Sequence, residues 1–479
     1  MSILHTFVSI HSGILFEFLE FMQKQDKYRQ VLKVSLPLVV SMATTMVMEF
    51  TDRIFLANYS LESIAAALPA GIAVFLFISF FMGTAGYVNV FIAQYIGAGA
   101  LQRVGAALWQ GIYFALFSAV IMAGLYLIAD PLFQLSGHSP EVQRLEVIYF
   151  QTLCLGAGTL ILGTGLSCFY SGRGQTRPVM IFNMIGTLLN IPLDYALING
   201  VWIFPELGIL GAGIATVTSW TVVTAIFGFM IFTRENDRLY AVWKHRQFDP
   251  ELFRRLMKFG VPGALQFSMD ILGFTFFVFM VGRIGKLELA VSNIVLAIDS
   301  LAFMPLMGFS MGTSTLVGQA LGRNRPQDAV SVTKATIHIV LIYILFLGLL
   351  FLFVPQVLLD LFRPGNLPAQ SYAVMRHLGV DLLRMVVCYL FFDALYMICI
   401  GVLKGAGDTR FIMWSIATAS LFVMILPIYI GIEYFGFGIY FAWICLILFV
   451  FFLFVLSFGR YLQGSWKHMR VIEQDAMVA

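Results

Sequence analysis

Hydrophobic residues run through this chain in twelve long blocks, separated by short groups of Gly, Pro and charged positions. A helix needs about 20 mostly apolar residues to cross a hydrocarbon core of ~30 Å. In the first half the blocks place spans at roughly 31–51, 64–95, 104–129, 143–170, 178–198 and 209–232. In the second half they fall at roughly 259–282, 287–320, 329–355, 372–402, 411–432 and 436–459. Several exceed the minimum length and have room to tilt or bend. The chain is therefore expected to be an all-α polytopic membrane protein.

The two halves are related. Lys258-Phe259-Gly260-Val261-Pro262 echoes Lys33-Val34-Ser35-Leu36-Pro37, an offset of 225 residues. At the same offset Met307-Gly308 echoes Met82-Gly83, Gln319 echoes Gln94, Gly322 echoes Gly97, and Gly436–Ile439 echoes Gly211–Ile214. Gly405–Arg410 echoes Gly172–Arg177 at an offset of 233. The order is preserved, so the chain reads as a duplicated unit of six spans. Six is even. Both lobes then enter the membrane in the same orientation, related by a pseudo-two-fold axis along the membrane normal. The expected organisation is an N-terminal segment (1–30), a first lobe (31–232), a linker (233–258), a second lobe (259–460) and a tail (461–479).

Composition agrees with lipid as the main solvent. Hydrophobic residues make up 60% of the chain, charged residues 11%, and mean hydropathy is +0.88. A soluble domain carries about 25% charged residues. Assigning loops to alternate sides places Lys24, Lys27, Arg29, Lys33, Arg103, Arg173 and Arg177 on the N-terminal side. The linker cations, Arg323, Arg325, Lys334, Lys404, Arg410, Arg460, Lys467 and Arg470 join them. That is 22 of the 29 Lys and Arg residues. The positive-inside rule then puts both termini in the cytoplasm of a plasma (inner) membrane protein. The basic linker is explained by orientation and headgroup contact. No dense basic stripe exists outside the loops, so nucleic acid is not an expected partner.

The five cysteines lie inside apolar segments and form no CxxC pair, so neither disulfides nor zinc are indicated. Residues 1–22 lack an early basic region and a small-residue cleavage site, so no signal peptide is expected. Leu15, Phe16, Phe18, Leu19 and Met22 fit an amphipathic surface helix instead. No HExxH, GxSxG or Walker A pattern occurs, so no catalytic residues and no cofactor are expected. The Gly-rich segments Ser171–Arg177 and Gly405–Arg410 read as tight turns with orienting arginines.

Acidic residues inside spans carry the chemistry. A carboxylate at mid-bilayer costs about 2.5–3.5 kcal/mol on insertion scales, so each needs a reason. Asp52 closes the first span, with Glu49 one turn earlier. Asn190 and Asp194 share a face of the fifth span, with Pro192 between them. Proline frees a backbone carbonyl, so an acid, an amide and that carbonyl can converge on a proton or a hard cation such as sodium. Asp270 lies in the seventh span. Tyr389 and Asp393 share a face of the tenth, where a phenol can hydrogen-bond a carboxylate. Asp299 lies in the eighth span near Pro305, and Asp381 with Arg384 reads as an ion pair. Forty-seven Phe and 23 Met offer apolar walls adaptable to varied ligands. Acids among aromatics suit small amphipathic cations.

These residues resemble the multidrug and toxic compound extrusion (MATE) family, in particular its NorM-like branch. The likeness covers roughly 28–462. It rests on Leu188–Asp194, Pro205–Gly208, Gly211–Thr216, Leu403–Arg410, and Pro37 followed by Asp52. The resemblance implies two six-helix lobes around a cleft, exchanging sodium or protons for a cationic lipophilic compound. It implies ion coupling in the N-lobe at Asp52, Asn190 and Asp194, joined by Thr216 of the sixth helix. It implies a C-lobe site at Asp270, Tyr389 and Asp393. Either group is a possible Na+ site. Asp270 stands where the family often has Glu, and Asn293 where it commonly has Gln. The expected protein is a monomeric secondary antiporter working by alternating access. The alternative is a lipid-linked substrate flippase, which would favour a more cationic cavity.

Overall fold

A computed structural model describes the backbone of residues 2–201, 203–362 and 369–473, and the side chains of 25–201, 203–362 and 372–473. Among these residues are twelve helices long and apolar enough to cross a membrane. They are α1 (Gln25–Tyr59), α2 (Leu61–Ala98), α3 (Arg103–Gln134), α4 (Pro140–Ser171), α5 (Arg177–Asn199) and α6 (Ile209–Ile231) in the first half. The second half has α7 (Pro250–Ile284), α8 (Lys286–Gly322), α9 (Pro326–Phe353), α10 (Tyr372–Ala406), α11 (Thr409–Glu433) and α12 (Ile439–Gln463). Each block expected from sequence has its helix, and most run several residues further. The helical backbone leading into α1 begins at Ser2. The side chains of the expected amphipathic surface helix lie outside the described residues.

Helix ends follow local chemistry. Asp249 caps α7 by accepting from the Leu252 amide at 3.0 Å, and Pro250 occupies the first turn. Residues 250–258, expected within the linker, are thus the first turns of α7. The rest of the linker folds back on the first lobe. Trp109 Nε1 donates to the Val242 carbonyl at 2.6 Å, and Tyr113 donates to that of Arg246. Arg173 does more than orient its turn: its guanidinium lies 4.5 Å from the Phe169 ring centre and 4.4 Å from that of Tyr240. Asp381 accepts from Tyr440 at 2.9 Å and pairs with His377 at 3.5 Å, in place of the expected Arg384. Arg384 sits one turn along the same helix, but His377 does too on the other side, and the Tyr440 hydroxyl reaches across from α12.

Packing repeats between the halves. In the first lobe α4 contacts α2, α3 and α6, while α5 lies between α1 and α6. In the second, α10 contacts α8, α9 and α12, while α11 lies between α7 and α12. The crossings between lobes are also paired: α1 packs on α8, and α7 on α2. This reciprocity is the expected pseudo-two-fold relation. Pro37 of α1 and Pro262 of α7 occupy matching places. A π-helical turn at Ser420–Ile425 precedes Pro427 in α11, whereas α5 carries Pro192 within a regular helix.

The lobes meet most closely near the face that collects the Lys and Arg residues, hereafter the basic face. A Cβ on Gly97 of α2 would lie 2.2 Å from the Gln319 carbonyl oxygen of α8. A Cβ on Gly322 of α8 would lie 2.1 Å from the Gln94 carbonyl oxygen of α2. Only glycine lets these two backbones touch. The same glutamines reach across the interface. Gln94 Nε2 donates to the Gly405 carbonyl and Gln319 Nε2 to the Gly172 carbonyl, both at 2.9 Å. Tyr87 of α2 also donates to the Lys404 carbonyl at 2.9 Å. The described state is therefore closed at the basic face.

Candidate functional site

The first-lobe site is assembled from three helices. Asp52 (α1), Asn190 and Asp194 (α5) and Thr216 (α6) are all buried. Thr216 Oγ1 donates to Asp52 Oδ2 at 3.2 Å. The Asp52 and Asp194 carboxyl groups are electrostatic neighbours, and Glu49 also faces Asp52. Apart from the contact between the two carboxyl groups, the other polar atoms here have no hydrogen-bond partner: Asp52 Oδ1, both Asp194 oxygens, and the oxygen and nitrogen of Asn190. A buried charge stripped of its partner costs about 3–5 kcal/mol, and an unmade hydrogen bond about 1–3 kcal/mol. Two neighbouring carboxylates in a low dielectric need a counter-charge. A proton or a small cation supplies it, and the unpartnered oxygens are the atoms that would receive it.

The second-lobe acids are arranged differently. Gln266 Nε2 donates to Asp270 Oδ2 at 2.7 Å, four residues along α7. Tyr389 Oη donates to Asp299 Oδ2 at 3.0 Å. Tyr389 and Asp393 do share a face, and both Asp299 and Asp393 act on the Tyr389 hydroxyl, but its proton goes across to α8. Tyr396 lies near both Asp270 and Asp393, and its buried hydroxyl has no partner. The Gln266 carbonyl oxygen is likewise unpartnered.

Three residues near these sites, Gln266, Tyr396 and Tyr149, and the partner of a fourth, Asp299, escaped sequence reasoning. Gln266 and Tyr396 were detectable, at i−4 from Asp270 and i+3 from Asp393. Asp299 was visible as an intramembrane acid, but nothing in the sequence linked it to Tyr389. Tyr149 of α4 faces Asp52 and Asp194, and no local spacing signals that. Among the described residues no three His, Cys, Asp or Glu side chains cluster as a metal site.

Duplicated six-helix lobes, closed against each other at one face and each holding buried acids, define an integral multi-pass membrane protein built as a two-lobed transporter. The MatE family model matches residues 37–196 and again 262–430, once in each lobe. The chain belongs to the MatE family, the multidrug and toxic compound extrusion transporters. It is 25% identical over 449 residues to a probable multidrug resistance protein NorM of Thermotoga maritima, covering 93% of this chain and 95% of that protein. It is 29% identical over 391 residues to the Pseudomonas putida protein of the same description, covering 80% and 82%. Among solved structures, an outward-facing multidrug resistance MATE family transporter superposes with a TM-score of 0.83 at 19% identity, covering 92% of this chain and 97% of that one. A Pyrococcus furiosus transporter of the wider superfamily gives 0.83 at 20% identity, with the same coverage.

Proposed function

We propose that this multidrug efflux transporter is a secondary antiporter that exports small cationic lipophilic compounds in exchange for Na+ or H+ by alternating access. The observation that carries the reading is the cluster of unpartnered buried oxygens on Asp52, Asn190 and Asp194. Such a cluster is stable only with a positive partner, and it lies in one lobe of a two-lobed frame. Drug cation and coupling ion then compete for the same negative charge. Ion binding weakens drug binding, and linkage requires bound drug to weaken ion binding equally. Thr216 holds one Asp52 oxygen and leaves the other free for the ion. In the second lobe Asp270 and Asp393 supply the drug-facing carboxylates beside the neutral Tyr389 phenol, with Asp299 holding the Tyr389 hydroxyl in place. The basic face is assigned to the cytoplasm of an inner-membrane protein by its Lys and Arg excess. The state described is then outward-facing, and the chain works as a monomer because it carries both lobes.

The test is ethidium efflux from proteoliposomes under a sodium gradient or a pH gradient imposed separately. Efflux under one gradient alone identifies the coupling ion. Absence of efflux under both overturns the antiport reading and moves attention to a lipid-linked substrate.

A further inference from the structure

The chain leaves α12 in the second lobe and ends its described part on the first. Trp466, just after α12, is fully buried in the second-lobe core and stacks on Tyr461, their ring centres 5.5 Å apart. Five residues later Val471 and Ile472 are equally buried, in the first-lobe core cluster with Phe91, Tyr95 and Val104 and with Leu252 and Leu256 at the start of α7. Seven residues of chain, Trp466–Ile472, thus join the two hydrophobic cores at the basic face.

Polar contacts fix this segment. The Val471 amide donates to Gln94 Oε1 at 2.9 Å, the same Gln94 whose nitrogen reaches Gly405 of the other lobe. Arg255 of α7 donates to the Val471 and Ile472 carbonyls at 2.9 and 2.8 Å. Glu473 accepts from Tyr95 Oη at 2.6 Å and from Arg103 at 2.8 Å. Arg103 also pairs with Asp249, at 3.3 Å. On the second-lobe side Arg470 donates to Asn324 at 3.3 Å. The corresponding segment after α6, in the linker, returns to its own lobe through Trp109 and Tyr113. The crossing is therefore a departure from the pseudo-symmetry, present once.

We propose that Trp466–Glu473 is a clasp that holds the basic face shut and must leave the first lobe each time that face opens. The proposal rests on the alternating-access reading above. Opening separates α2 from α8. Val471 also lies on Gly407 and is held by Arg255 of the second lobe, so its bond to Gln94 and those of Glu473 to Tyr95 and Arg103 are the contacts that break when α2 and α8 part. The clasp therefore adds its contacts to the outward-facing state and to the barrier for leaving it. It makes that state the resting one and lowers the apparent affinity for drug arriving at the basic face.

Two measurements test this. In the first, paired spin labels at the exposed positions Lys244 and Gln327 report the separation of the lobes at the basic face in purified full-length protein. This reading needs no flux, so it stands whether or not antiport is observed. Glu473→Gln is expected to raise the population with separated labels about 5-fold, the order for losing one partly exposed charge pair and its hydrogen bond. An unchanged distribution in both Glu473→Gln and Val471→Asp overturns the proposal. In the second, Arg103→Cys and Glu473→Cys are joined by a short bismaleimide in a chain lacking the five native cysteines. The joined protein is expected to lose more than 10-fold in efflux relative to the unjoined pair. Full efflux with the clasp covalently held overturns the proposal without any question of misfolding.

Discussion

Replacing Gly322 with alanine tests whether the described contact between α2 and α8 keeps the basic face closed. The added methyl would sit 2.1 Å from the Gln94 carbonyl oxygen, 2.9 Å from its carbon and 3.0 Å from its Cα. All three atoms are helix backbone, so no side chain can swing aside. Ordinary contact starts near 3.4 Å, and the two helices must part by the difference. Overpacking of this kind costs about 1–3 kcal/mol. The cost falls only on the closed state, because the methyl is free once α2 and α8 separate. At about 1.4 kcal/mol per factor of ten, the closed-to-open ratio drops roughly 5- to 150-fold. Label distances across the basic face should show the open population directly, and drug affinity measured from that side should rise. Gly97→Ala, with its methyl 2.2 Å from the Gln319 carbonyl oxygen, should behave alike. The double variant should fall short of additive, because either methyl alone breaks the shared contact. A distance distribution identical to that of the unmodified protein in Gly322→Ala would refute the argument.

Three further outcomes are expected. Asp194→Asn should cut gradient-driven efflux at least about 10-fold without lowering the unfolding midpoint, since it removes an unpartnered charge; unchanged efflux removes Asp194 from ion coupling. Tyr389→Phe should destabilise by about 1–3 kcal/mol by leaving Asp299 without its donor, and Asp299→Asn in the same chain should recover most of the loss; simple additivity in thermal unfolding would break the assigned pair. Burial of Glu473 favours its neutral form, but hydrogen bonds from Tyr95 and Arg103 outweigh it and hold the carboxyl below the ordinary 4.5. A lowered value means the contribution is complete above pH about 4.5 and lost only as pH falls through the lower, folded value. The difference in label distances between the unmodified protein and Glu473→Gln should therefore be constant between about pH 5.5 and 8, and a change in that difference within the window would contradict the Glu473 assignment.

Much of the fold was legible because lipid imposes a simple rule: every crossing needs a long apolar run. The duplication was legible because close approach between lobes admits only glycine, and Gly97 and Gly322 mark it at the same offset as their glutamines. The first-lobe site was readable in part, since Asn190 and Asp194 lie one turn apart on one helix. What escaped is what depends on distant helices. Tyr389 shares a face with Asp393, yet its hydroxyl points to Asp299 ninety residues earlier in the chain. Asp381 lies one turn from Arg384, yet bonds to Tyr440 of α12. Spacing along a helix sets the face of a side chain, and the neighbour on that face is set by tertiary packing. The tail was invisible for the same reason: Val471 and Ile472 read as an isolated apolar pair, and nothing local says which core receives them.

The route of the tail also orders events during biosynthesis. The first lobe can insert and pack while the second is still being translated, but its core at the basic face lacks two side chains, Val471 and Ile472, until α12 has left the ribosome. Until then Arg103, Tyr95 and Gln94 face an unfilled groove. A newly made first lobe is therefore a recognisable unfinished surface, available to insertion factors or proteases, and it is completed only by a chain that has been read through its twelfth helix.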